Sequence, residues 1–172
     1  MGRLALLALL VPYLVWLVFA YEYHFLDGVN LLFHEAGHLF FGILGQTLAI
    51  AGGTLGQFVF PLACAFHFRA QGQRFESALM GVWAGENLMY TGRYAADAQA
   101  QVLPLVGGHI HDWEWMLSRA GLLEHCEWIG GAFHVAGSFV ALASFGFAAM
   151  HLLRERSARA ETQGSVTLQP RR

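Results

Sequence analysis

Long apolar runs broken by short polar clusters organise this chain. Leu4 to Ala20 is a 17-residue apolar run after Arg3, a pattern shared by signal peptides and short spanning helices. Pro12, Trp16 and the following Tyr21 and Tyr23 favour a retained span that ends in an aromatic belt. Phe25 to Gly45 predicts a second span, interrupted by Asp27, His34, Glu35 and His38. Gln46 to Phe68 predicts a third, with Gly52 and Gly56 at the spacing that lets helices approach closely and Pro61 as a kink point. Gly45, Gly52 and Gly53 would alternatively let the backbone bend back within a membrane. Phe75 to Gly92 is a more polar fourth span carrying Glu76 and Glu86, with Gly81 and Gly85 as another small-residue contact. Trp128 to Leu153 is the fifth and ends at Arg154, Arg156 and Arg159.

Composition agrees with this pattern. Of 172 residues, 56% are hydrophobic and 13% charged, with a mean hydropathy of +0.44, which disfavours a soluble globule. No Asp, Glu, Lys or Arg occurs from Ala36 to Phe68 or from Trp128 to Leu153, and each stretch exceeds the roughly 20 residues that cross a bilayer. The expected fold is therefore an all-α, polytopic membrane protein of about five transmembrane helices with a long loop before the last. Residues 1–153 form one helical membrane domain that includes the 93–127 loop, and 154–172 form a polar, disordered tail. The lipid bilayer is its first partner. The loop from Arg69 to Arg74 and the tail share seven arginines on one side, against Arg3, Arg93 and Arg119 on the other. The positive-inside rule then puts the C-terminus in the cytoplasm, and the expected location is a bacterial inner membrane. A formal charge of −2 gives no basic surface for nucleic acid. Cys64 lies in an apolar run and Cys126 in a polar loop, so no disulfide or zinc knuckle is indicated. The oligomeric state stays open, with a homo-oligomer among the options.

The chemistry lies in His34-Glu35-Ala36-Gly37-His38, an H-E-x-x-H motif. On a helix, residues four apart stand one turn above each other, so both imidazoles face one way and can share a zinc ion. Glu35 projects beside them, placed to take a proton from water that the ion activates. Ionisable groups inside a spanning helix cost at least about 2.5 kcal/mol for an acid at its centre and mark function by default. The bland alternative is that the two histidines and a protonated Glu35 only hydrogen-bond to neighbouring helices.

These residues resemble the membrane-embedded zinc metalloproteases of the site-2 protease type. The resemblance covers the H-E-x-x-H helix and its membrane setting. It implies that His34 and His38 bind zinc, that Glu35 is the catalytic base, and that an aspartate on a distant helix, often within L-D-G, is the third ligand. The substrate it implies is a peptide or membrane protein. Leu26-Asp27-Gly28 reads L-D-G but precedes the motif on the same helix. Asp27 and His34 would lie roughly 10.5 Å apart along the axis, so Asp27 is better read as a helix-start residue. No soluble recognition domain accompanies the motif.

A catalytic zinc site usually has three protein ligands. Gly108-His109-Ile110-His111-Asp112-Trp113 offers three candidates in four positions. Asp112 is preferred by resemblance to the family's aspartate, with His111 next and His109 read as a solvated loop histidine. Asp112 could equally cap a helix whose apolar stripe is Trp113, Met116, Leu117 and Ala120. In the fourth span, Asn87, Tyr90, Tyr94 and Asp97 line one stripe. They would orient ligands, with Asn87 steadying substrate and Asp97 as a reserve ligand, or serve as interhelical glue. His67, His134 and His151 on other spans raise haem ligation as a separate class, and a metal-binding scaffold or assembly factor would keep the ion without needing Glu35. One difficulty is geometric: in a five-span arrangement His34 is central in its helix, while His109 to Asp112 belong to an outer loop.

Overall fold

The computed structural model describes residues 2–106 and 110–167, with side chains to 161. It is all-helical, with 84% helix and no strand among the described residues. The helices are α1 (Gly2–Phe19), α2 (Phe25–Gly42), α3 (Gln46–Ala70), α4 (Arg74–Ala96), α5 (Asp112–Ala120) and α6 (Cys126–Thr167), with a 3₁₀ turn at Leu123–His125. Three stretches are long and apolar enough to cross a membrane: α1, α3 and Leu123–Glu161, with mean hydropathies of 2.0, 1.6 and 1.6. α2 and α4 are helices of similar length whose polar residues keep them below that level.

The polarity of the bundle is inverted relative to a soluble protein. Asp27, Asn30, His34, Gln57, Glu86, Asn87 and Thr91 are buried, whereas Leu9, Phe25, Leu39, Phe66 and Phe139 are each more than 70% exposed. An exposed apolar surface of this extent marks a face made for lipid or another apolar partner.

Close backbone approach through small residues holds the bundle together. α4 and α6 run antiparallel, with Gly81 against Ser144, Gly85 against Gly137 and Gly92 against Gly130. α2 and α3 meet through Gly37, Gly52 and Gly56. Each contact leaves no room for a side chain, the packing expected of helices whose association cannot rely on expelling water. Gly52 and Gly53 therefore lie within a continuous α3 rather than at a re-entrant bend. The bend is at Gly45, whose φ of 106° is open to glycine and costly for other residues. α1 packs onto α6 and α4 and points the same way as α4: Leu7 clusters with Phe75, Ala78, Ala148 and Leu152, and Leu14 and Leu17 with Val82, Met89 and Ala141.

Two expectations are corrected here. First, Arg3 reaches Glu155 of α6 at 3.2 Å and Glu76 of α4 at 2.5 Å. The start of α1 and the far part of α6 thus share one end of the bundle, which five full crossings would forbid. The odd helix is α2. Its first turns meet Glu86 at the middle of α4, through Asn30 Nδ2 at 3.0 and 3.2 Å from the two carboxylate oxygens. α2 runs from there toward the end where α5 sits, so it occupies only part of the bundle's length. Second, α6 stays helical beyond Leu153 through the arginines to Thr167, where an irregular tail was expected. Ala, Arg and Glu, among the strongest helix formers, make up seven of the eight residues from Arg154 to Glu161.

A methyl group at Gly85 would stand 2.5 Å from Ala141 N and 2.7 Å from Gly137 O, both backbone atoms that move only if the helices part. Gly85→Ala is expected to cost about 1–3 kcal/mol through overpacking, read as a lower unfolding temperature in detergent. Gly131→Ala, where nothing lies within 4 Å, should be neutral or slightly stabilising.

Candidate metal centre

α2 stacks His34 and His38 one turn apart, with ring centroids 4.7 Å from each other. The ring nitrogens and the half-buried Glu35 carboxylate provide ligand atoms that all lie within 4.8 Å of one another. α3 fixes the back of both rings. His38 Nδ1 lies 2.7 Å from the Ala49 carbonyl, which only accepts, so Nδ1 donates. His34 Nδ1 lies 3.2 Å from Gln57 Oε1. The front of both rings faces one atom: Asp112 Oδ2 is 2.8 Å from His34 Nε2 and 3.2 Å from His38 Nε2.

Asp112 reaches the pair because α2 is displaced along the bundle. The His34 ring stands 5.8 Å from that of Tyr94, in the last turns of α4, and the Tyr94 hydroxyl accepts from Asp112 N at 3.2 Å. The motif is thus already level with the loop that carries Asp112, which removes the geometric difficulty of a centrally placed His34. Burial opposes the Asp112 carboxylate, but hydrogen bonds from His34 and His38 outweigh it and hold its pKa below the ordinary value.

The fit to a metal ion rests on three features. Ligands about 2.0–2.1 Å from a tetrahedral ion lie roughly 3.3 Å apart, close to the 2.8 and 3.2 Å found here. Both imidazoles have an oxygen acceptor at each nitrogen, which a neutral ring cannot satisfy on both sides; a second ring proton, or a cation between Nε2 and the carboxylate, satisfies them. Gly53 leaves the space free: a Cβ there would stand 2.6 Å from Cε1 of each histidine.

Other expected site residues lie elsewhere. His111 caps α5, its Nδ1 accepting from Glu114 N at 3.3 Å. Its Nε2 lies 3.4 Å from Asp97 Oδ2 without hydrogen-bond geometry, so neither nitrogen turns to the histidine pair. Burial lowers its pKa, against the pull of Asp97. Asp97, the reserve ligand, accepts from Val102 N and Leu103 N at 2.9 and 3.0 Å and ties down the loop after α4. Asn87 does not line the site: its Nδ2 donates to the Gln57 carbonyl at 2.7 Å, which makes it a clamp between α4 and α3. His109 lies outside the described residues. Of the histidines considered for haem, His134 Nε2 donates to Val18 O at 3.0 Å, His151 lies 3.3 Å from Glu155 on its own helix, and His67 is exposed.

A second group, His24, Asp27 and Glu86, is also compact, but it is closed by its own hydrogen bonds. Tyr21 donates to Asp27, Asn30 bridges both oxygens of Glu86, and Tyr13 pairs with His24 Nε2 at 2.7 Å. Asp27 accepts from His24 N at 2.9 Å, the helix-start role expected of it. Arg93 goes to Tyr21 O and Glu22 rather than to Glu86.

Three residues beside the candidate centre had no site role in the sequence reading: Gln57, Thr91 and Gly53, the last named there only as a bend point. The available signal was Gln57 itself, an amide buried at 1% exposure in an otherwise uncharged span. A largely apolar cavity of about 280 Å³ opens against His34, walled by Tyr23, Leu31, Tyr90, Tyr94, Leu103, Pro104 and Val106, with Arg93 also on its wall. No family model, curated protein or solved structure matches the chain.

Proposed function

We propose that the protein is a membrane-embedded, zinc-dependent peptidase that cleaves an apolar segment of a membrane-associated peptide or protein. The observation that carries this reading is the convergence of His34 Nε2, His38 Nε2 and Asp112 Oδ2, with both Nδ1 atoms already committed to oxygen acceptors. This donor set, two imidazoles and a carboxylate, is the one found in many hydrolytic zinc sites. The ion, when bound, supplies Lewis acidity: it polarises a carbonyl and makes water nucleophilic near neutral pH. Glu35, beside the ligand nitrogens, accepts the proton of the attacking water as the C–O bond forms. It then delivers that proton to the leaving amine as the C–N bond breaks. The apolar cavity against His34 suits an apolar side chain next to the scissile bond. The substrate segment must be unwound there, because helical carbonyls are occupied by backbone hydrogen bonds.

The resemblance to the site-2 protease type supports the same reading through the H-E-x-x-H helix alone. For orientation, we take α1, α3, α4 and α6 as the crossings and α2 as a partial one. Arg3, Arg69, Arg74, Arg154, Arg156 and Arg159 then lie at one end, against Arg93 and Arg119 at the other. That bias puts both termini in the cytoplasm and the metal centre near the opposite face.

The purified protein is expected to hold close to one zinc per chain by elemental analysis. His34→Ala and Asp112→Ala should lose most of it, and His111→Ala should retain it. Gly53→Ala should keep the helical fold by circular dichroism while weakening zinc binding at least tenfold, because its methyl group displaces the rings. Glu35→Gln should keep zinc and lose cleavage of a membrane-reconstituted peptide substrate by about 10²–10⁴-fold, the usual worth of a general base. Full biological activity in Glu35→Gln with zinc retained would replace the enzyme by a metal-binding scaffold.

A further inference from the structure

Behind His34 lies a chain of hydrogen bonds whose polarity can be read from one end to the other. Thr91 Oγ1 lies 2.9 Å from the carbonyl of Asn87 one turn earlier on α4. A carbonyl has no proton to give, so the hydroxyl proton of Thr91 is spent there. Thr91 Oγ1 is also 2.5 Å from the Gln57 side-chain amide, and with its proton committed it can only accept. The atom of Gln57 facing it must therefore be the NH₂ group. That leaves Oε1 of Gln57 facing His34 Nδ1 at 3.2 Å, and an amide oxygen only accepts. Gln57, Thr91 and Asn87 are each 1% exposed or less, so bulk solvent does not reach the chain to compete for these groups. Asn87 Nδ2 fixes the backbone of the same residue by donating to Gln57 O at 2.7 Å.

From this we infer that Gln57 and Thr91 are a positioning unit for the metal centre. Together they force the proton of His34 onto Nδ1 and keep the Nε2 lone pair directed at the ion. The inference rests on the zinc reading above and deepens it. His38 obtains the same result from a backbone carbonyl, which no substitution of a side chain can flip. His34 depends on a side-chain amide that could rotate by half a turn, and Thr91 is what prevents the rotation. If Gln57 turned its NH₂ toward His34, Nδ1 would have to accept, the proton would move to Nε2, and the ligand would be lost. Partners of this kind typically contribute 10–100-fold in metal affinity.

Two measurements test the unit in the full-length protein in detergent, with Zn²⁺ and Co²⁺ as probes. Thr91→Val removes the acceptor while keeping the shape of the side chain, and is expected to weaken Zn²⁺ binding about 10–100-fold. It should also alter the visible absorption of the Co²⁺-loaded protein, which reports ligand geometry and is blind to packing alone. Thr91→Ser, which keeps the hydroxyl, should restore both. In parallel, ¹⁵N NMR of the zinc-loaded wild type should show His34 protonated at Nδ1 and metallated at Nε2. Wild-type affinity and spectrum in Thr91→Val, failure of Thr91→Ser to rescue, or a proton on His34 Nε2 would each overturn the proposal. Failure of the zinc reading itself looks different: neither the wild type nor any variant would bind zinc, and His34→Ala would change nothing.

Discussion

A polar atom inside a bundle with an apolar exterior has no water to turn to, and leaving it unpaired costs several kcal/mol. In this chain that constraint shapes most of the interior, although Thr54 Oγ1 and Asn87 Oδ1 are buried without a partner. The buried positions of α2, α3 and α4 include Asn30, His34, Gln57, Glu86, Asn87 and Thr91, and their contacts form two connected networks. One ties the turn after α1 to the middle of α4 through Tyr21, Asp27, Asn30 and Glu86. The other runs from Asn87 and Thr91 through Gln57 to His34 and Asp112. The first closes upon itself. The second ends at three atoms of ligand type that face one another, and this is why the proposed chemistry is assigned to it. The glycine contacts serve the same constraint, since hydrogen bonds between helices need backbones that approach closely.

The local part of this arrangement is legible in the sequence because it follows from helix geometry. Two histidines four residues apart must share a face, whatever surrounds them. The small-residue pairs Gly52/Gly56 and Gly81/Gly85 likewise announce a close contact, and the structure finds one at each, though only packing reveals the partners Gly37, Ser144 and Gly137. The cluster from His109 to Asp112 stood out for its three ligand-type residues, and the resemblance to the site-2 protease type preferred Asp112 among them. The assignment of caps inverted at this point: the imidazole of His111 caps α5, which frees the carboxylate of Asp112 to face the histidines. Either residue type can fill either role, so spacing alone could not distinguish them.

Asn87 illustrates what periodicity cannot deliver. It lies on the polar stripe of α4 as expected, but the register between α3 and α4 puts Gln57 between it and His34. That register is set by contacts between the two helices, such as Ser77 with Ala65 O at 2.9 Å across their connecting turn. The number of crossings was illegible for a related reason. A hydropathy pattern records the length of an apolar segment and says nothing of the depth at which it starts.

Depth is what makes the site possible. Had α2 traversed the full bundle, His34 would stand beside the middle of α4, near Glu86. Tyr94, which accepts the backbone N–H of Asp112, lies eight residues further on, about 12 Å at 1.5 Å per residue. No carboxylate at Asp112 could bridge that gap. Starting α2 beside Glu86 lifts the motif to the level of the loop, but it also leaves the turn at Ala20–His24 and the first turn of a helix partway along the bundle, on its largely apolar surface with Ala20, Glu22 and Tyr23 exposed, where N–H groups left unpaired in an apolar setting are costly. The Asp27 carboxylate takes one of them from His24. Arg93 reaches Tyr21 O at 3.3 Å and His134 reaches Val18 O at 3.0 Å, so two carbonyls near the turn are also satisfied. The closed polar cluster of Tyr21, His24, Asp27, Asn30 and Glu86 therefore stabilises the displaced start of α2. That displacement is in turn the condition for Asp112 to meet the two histidines.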